Sequence, residues 1–161
     1  MLPDSVAENP IAAAIEQQIP GAIVDAATAV DGPVLSIAPD QIVKVCRYLK
    51  ESAGFVRLSG ITAVDWWPRE PRFEIIYLLH SLAHNSRLRV SVRLPEHEEL
   101  ESTCSVWRGA NWYEREVFDM FGVRFRNHPN LERIMMPADW EGYPLRKDYP
   151  IHGHKYSYQD E

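Results

Sequence analysis

Residues Trp112–Pro150 read WYEREVFDMFGVRFRNHPNLERIMMPADWEGYPLRKDYP. No other part of the chain packs aromatics, carboxylates, arginines, prolines and glycines so densely. Six basic groups (Arg115, Arg124, Arg126, Arg133, Arg146, Lys147) stand against seven acidic ones (Glu114, Glu116, Asp119, Glu132, Asp139, Glu141, Asp148). A charge-rich but nearly neutral stretch suits internal ion pairs and a polar docking face, whereas a nucleic-acid groove would be basic.

The first part of the stretch predicts a helix. Asn111 is a good N-cap, with Glu114 at capping-box spacing, and Gly122 is a natural stop. On a helical wheel Tyr113, Val117, Phe118, Met120 and Phe121 form one apolar face, with Arg115, Glu116 and Asp119 on the other side. Glu114 falls inside the apolar arc. It either caps the helix start or is a buried carboxylate paired with an arginine from the segment beyond. After Gly122, Val123–Arg126 alternates as a short strand does, and Asn127-His-Pro-Asn130 signals a turn. Pro129, Pro137, Pro144 and Pro150 then forbid a long helix, so this segment should lie extended over the body of the protein. At least one contact is expected between the helix carboxylates and Arg133, Arg146 or Lys147, because a guanidinium binds a carboxylate with two hydrogen bonds.

Working outward, the chain of 161 residues is 45% hydrophobic, which suits one domain with a real core. Its net charge of −6 argues against a nucleic-acid binder or an anionic-lipid anchor. Cys46 and Cys104 are the two cysteines, too few for an all-cysteine iron–sulfur or zinc site, and Cys46 reads as a core thiol. No run approaches the ~20 apolar residues of a membrane span. The start, Met-Leu-Pro-Asp, lacks the basic and hydrophobic regions of a secretory signal. Any membrane association should therefore be peripheral.

Residues 1–10 read as loose, Ile11–Gln18 as a short helix, and Ala22–Ala27 and Val34–Ile37 as strands about Asp31-Gly32-Pro33. Pro39-Asp40 opens a helix to about Ser52, closed by Gly54. Phe55–Trp66 (interrupted at Gly60), Arg72–Ser81 and Leu88–Leu94 read as three strands of an antiparallel meander. The expected fold is α+β: one mixed, largely antiparallel sheet, with the 39–52 and 111–121 helices on one face, then an extended Pro-rich C-terminal segment. His80 and His84 straddle a strand end and read as ordinary histidines. Glu96-His-Glu-Glu99 reads as an exposed acidic loop.

The order and spacing of Glu114-Arg115-Glu116-x-x-Asp119-Met-Phe-Gly122, His128-Pro129, Arg133-Ile134 and Gly142-x-Pro144-Leu-Arg146-Lys147-Asp148-Tyr149-Pro150 resemble the signature of the 30 kDa subunit of NADH-quinone oxidoreductase, respiratory complex I. The likeness runs more weakly back through Ala63-Val-Asp65 and Arg72-Phe-Glu74. Glu132 stands where that family more usually has a basic residue.

The resemblance implies a non-catalytic structural subunit of the peripheral arm, on the cytoplasmic side of the inner membrane. It would pack on the large subunit that lines the quinone site and beside the iron–sulfur subunits, touching the membrane only through the complex and no nucleic acid. It implies that FMN, the iron–sulfur clusters and quinone are held by partner subunits and that this chain binds none. The alternatives are the equivalent subunit of a photosynthetic-type NDH complex or membrane-bound hydrogenase, or a free-standing hydrolase using Glu114, Glu116 and Asp119. No phosphate-binding glycine loop, dinucleotide fingerprint or nucleophile elbow is present. Residues 151–161 hold two tyrosines and little else to bury, and should lie along a partner.

Overall fold

The computed structural model describes residues 8–151. The expectations of a loose start and a partner-bound C-terminal tail fall mostly outside these residues.

Helix α1 (Pro10–Gln18) is capped by the Asn9 side chain, which accepts from the Ile11 and Ala12 amides. Strands β1 (Ile23–Ala29) and β2 (Gly32–Ile37) form an antiparallel hairpin. A 3-10 turn, Pro39–Gln41, leads into α2 (Ile42–Glu51), and Gly54 follows it with φ +77°. Strands β3 (Arg57–Asp65), β4 (Phe73–Ser81) and β5 (Ser86–Leu94) make the expected meander, with a register shift between Leu58 and Gly60. The sheet order is β1-β2-β5-β4-β3, and β2 runs parallel to β5. The sheet is thus mixed and largely antiparallel, as the sequence predicts.

Alternation places one set of strand residues in the core: Ile61 and Ala63, then Phe73, Ile75, Tyr77 and Leu79, then Leu88, Val90, Val92 and Leu94. Against this face pack Ala12 and Ile15 of α1, Val45, Cys46 and Leu49 of α2, and Val117, Met120 and Phe121 of α3 (Ala110–Phe121). Cys46 is fully buried, a core thiol whose pKa burial pushes far up. Two-residue strands β6 (Leu100–Glu101) and β7 (Phe125–Arg126) pair in parallel beside α3.

Three local readings need correction. Asn111 does not cap α3: the helix begins one residue earlier, and Gly109 occupies the cap position without a side-chain bond. Turns through Thr103–Trp107 feed the helix start instead, with the Ala110 amide bonded to the Trp107 carbonyl. Asp119 is not on a solvent face but fully buried, because the segment after Gly122 folds back over it. Glu96 is not part of an exposed loop. It is half-buried between two arginines, while His97, Glu98 and Glu99 do face solvent.

Candidate functional site

The segment after Gly122 wraps back over the C-terminal end of α3 and one end of the sheet as a strap. Gly122 makes the reversal possible. It ends α3 with φ +76°, and a Cβ there would sit 2.6 Å from the Tyr143 ring and 2.7 Å from Arg146 Nη2.

Asp119 pins the middle of the strap. Its Oδ2 accepts the consecutive amides of Ile134 (3.0 Å), Met135 (2.6 Å) and Met136 (3.0 Å), and its Oδ1 accepts from Arg133 Nη1 at 2.9 Å. Burial alone would raise this carboxyl, but the three amides and the guanidinium outweigh it and hold it below the usual carboxylate range. The other arm of Arg133 donates to the Gly142 carbonyl at 2.9 Å. The expected helix-to-strap ion pair therefore exists, and it is Asp119–Arg133.

The far end of the strap is clasped to the sheet. Arg72, immediately before β4 and 2% exposed, forks onto Asp65 with both contacts at 2.9 Å. It also reaches Asp148 at 2.7 Å and Glu96 at 3.0 Å. Asp65 Oδ2 accepts the Lys147 amide as well, at 2.9 Å. Burial works against the Asp65 charge, yet Arg72 and the Lys147 and Trp67 amides bring its pKa down to about 2. Arg72 holds Asp148 below its ordinary value too. Arg146 completes the clasp. It bonds Glu96 at 3.0 Å and the Phe121 carbonyl, and its guanidinium lies over the Phe73 and Tyr143 rings.

Glu114 is buried, as one of its two readings has it, but its partner is not an arginine. It accepts from Ser102 Oγ (2.6 Å), the Thr103 amide (2.7 Å) and Thr103 Oγ1 (2.8 Å). Cys104 Sγ lies 3.5 Å and His128 Nε2 3.8 Å away. Glu114 thereby ties α3 to the 102–104 turn. Cys104, Glu114 and His128 bring their donor atoms within 4.8 Å of one another, the spacing of a metal cluster. The Asn130 amide points at His128 Nδ1, which leaves the ring proton on Nε2, facing the Asn111 carbonyl at 3.1 Å. Burial pushes the Cys104 thiol up to about 11, with Glu114 adding to the rise against Ser102.

The remaining signature residues are less constrained. Arg115 donates to the Glu132 carbonyl at 3.1 Å and lies over Trp112. Glu116, Pro129 and the Lys147 side chain are exposed, and the Glu132 side chain faces solvent. Pro144 is half-buried, and Tyr149 Oη accepts from Trp140 Nε1 at 3.1 Å. Glu114 and Asp119 are each saturated by separate partners and Glu116 faces water, so the three form no joint acid–base site. Sequence reading misses Arg72, Asp65 and Glu96 as the hub of the clasp. The available signal is Ala63-Val-Asp65 and Arg72-Phe-Glu74, a weaker part of the family resemblance. The strap uses Arg133, Arg146 and Asp148 to grip the body of the protein and turns apolar side chains outward: Met135 is 61%, Leu145 54% and Ile134 36% exposed, with Trp112 at 61% on α3.

Comparison with known proteins agrees with this architecture. Over 145 residues the chain is 45% identical to a C-type subunit (number 2) of the NADH-quinone oxidoreductase of Rhizobium etli, covering 89% of this chain and 78% of that one. It is also 45% identical to the C-type subunit of the NADH-quinone oxidoreductase of Geobacter sulfurreducens, over 74% of this chain and 75% of the relative. Its fold matches a chain in the structure of the membrane-bound sulfane sulfur reductase, an archaeal respiratory membrane complex. That match has a TM-score of 0.73 and 30% identity and covers 88% and 84% of the two chains. Residues 35–155, from β2 through the strap, match the model of the respiratory-chain NADH dehydrogenase 30 kDa subunit, and the chain belongs to that family.

Proposed function

We propose that this chain is a non-catalytic structural subunit in the peripheral arm of a proton-translocating NADH–quinone oxidoreductase. It packs on the large subunit that lines the quinone site and keeps that partner's geometry rigid. The observation that carries this reading is the division of labour in the strap: Arg133, Arg146 and Asp148 hold it down, and Ile134, Met135 and Leu145 face outward for a partner. Electron transfer between neighbouring subunits needs fixed distances, and a surface clamped by buried ion pairs supplies them. FMN, the iron–sulfur clusters and quinone belong to partner subunits in this reading. Among the described residues no helix is long and apolar enough to cross a membrane, which fits peripheral attachment on the cytoplasmic side.

The test is Arg146→Ala in the assembled complex. It leaves Glu96 with one arginine in place of two and frees the Phe121 carbonyl. Removing one partner of a buried pair costs on the order of 3–5 kcal/mol, and less here because Arg146 is partly exposed. The amount of intact complex in the membrane should fall, while NADH-dependent quinone reduction per assembled complex stays near normal. Full assembly with most of the turnover lost would overturn the structural role and place this residue in quinone chemistry.

A second reading keeps the role and changes the machine, favoured by the likeness to the sulfane sulfur reductase chain. Isolation of the complex from native membranes separates the two. Flavin- and NADH-binding subunits in the preparation support the first, and their absence supports the second.

A further inference from the structure

The sheet face turned away from the helices carries a row of basic residues, two arginines flanking a histidine, at the opposite end of the strands from the strap. Arg57 of β3 pairs directly with His80 of β4, and His80 pairs directly with Arg87 of β5. Residues opposite one another in antiparallel pairs project from the same face, here the outer one, since Leu79, Ser81 and Leu88 beside them point into the core. Arg89, one step along β5 on that face, already has Asp31 as a partner. No acidic side chain among the described residues lies within ion-pair reach of Arg57 or Arg87.

The row thus has no acidic partner among the described residues at either of its arginines. It is also out of character for a chain of net charge −6. The row borders a groove of ≈ 370 Å³. Leu78, 39% exposed, lines it, and so does Pro33 from the β1–β2 turn. Gly60, paired with Leu78, adds no side chain to fill that part of the face.

We propose that this groove binds an acidic segment of a neighbouring protein subunit, with two or more carboxylates on Arg57 and Arg87 and an apolar side chain on Leu78, one step along β4 from His80 on that face. Adjacent strands are ~4.8 Å apart, so Arg57 and Arg87, two strands apart, suit separate carboxylates along a peptide better than one small anion. A flat anionic bilayer fits neither the concavity nor the net charge of the chain. The inference rests on the proposed function only in requiring neighbouring subunits, and it uses a different face from the strap.

The test is a photo-crosslink in the native membrane complex from exposed Ser59, which lines the groove, replaced by p-benzoylphenylalanine. The expected adduct joins a polypeptide segment with at least two Asp or Glu residues flanking an apolar one. Its yield should fall about tenfold in the Arg57→Glu/Arg87→Glu variant and stay within about twofold in Arg57→Lys/Arg87→Lys, because charge complementarity is what selects the partner. Thermal melts of the isolated variants show that the sheet is intact. An adduct to lipid, an adduct to a neutral or basic segment, no protein adduct, or a yield indifferent to charge reversal each overturns the proposal. Co-isolation of the complex is scored in the same preparations. An assembled complex with no such adduct refutes the groove alone, and a chain found in no complex refutes the structural role instead.

Discussion

Asp119 does the work of a whole turn of secondary structure. One carboxylate oxygen satisfies three successive amides that have no strand or helix to pair with, and the other oxygen meets a guanidinium. Asp119→Asn keeps the shape but loses the charge and turns one acceptor into a donor, facing either amide hydrogens or Arg133. The expected cost is on the order of 3 kcal/mol. It should appear as a lower urea midpoint with an unchanged m-value, and an unaltered midpoint would show that the strap adds nothing to stability. Acid makes the same point without mutation. Asp65, Asp119 and Asp148 all have depressed folded values, with Asp65 at about 2. Their contribution is complete above the ordinary aspartate range and is lost as pH falls from ~3.9 through the folded values, with Asp65 alone accounting for on the order of 2 kcal/mol. Stability measured between pH 5 and pH 2 should drop steeply, and the drop should shrink in Asp119→Asn. The helical wheel separates Asp119 from the core side of α3 correctly. It cannot show the strap returning over that side, because the strap's path depends on contacts far along the chain.

At the scale of elements, the strap turns on Gly122 and ends in the Arg72 clasp. Gly122→Ala places a methyl group against Tyr143 and Arg146 in a left-handed conformation that alanine disfavours by roughly 1–2 kcal/mol even without the clash. The variant should be less stable than that figure alone requires. Trypsin should also cut it faster at Arg146 and Lys147, since opening of the strap exposes them; equal cutting rates would mean that the strap does not hinge there. Periodicity makes the helices, the meander and the Gly122 stop legible, because each is a local pattern of burial. It misplaces the start of α3, where turns upstream do the capping expected of Asn111. Glu96 is equally invisible to it: only the tertiary fold brings this residue between Arg72 and Arg146.

At the scale of the molecule, one sheet face is buried under three helices and one end is sealed by the strap. Met135 is the outward-facing test of the proposed docking role. Met135→Asp changes an exposed side chain, so the melt of the isolated chain should stay within about 0.5 kcal/mol of the parent. The assembled complex should nevertheless fall several-fold, because a charge would be buried against the partner. Normal assembly would remove Met135 from the interface.

The clasp also has an order in time. Asp65 and Arg72 are 7 residues apart, whereas Arg72 and Asp148 are separated by 76. The local pair can form while the ribosome is still making the strap, and the distant one must wait for Asp148 to emerge. The bay that receives the strap is therefore built before its guest exists. Closing it comes well after the bay is built, and the outward apolar surface of the strap takes shape only then.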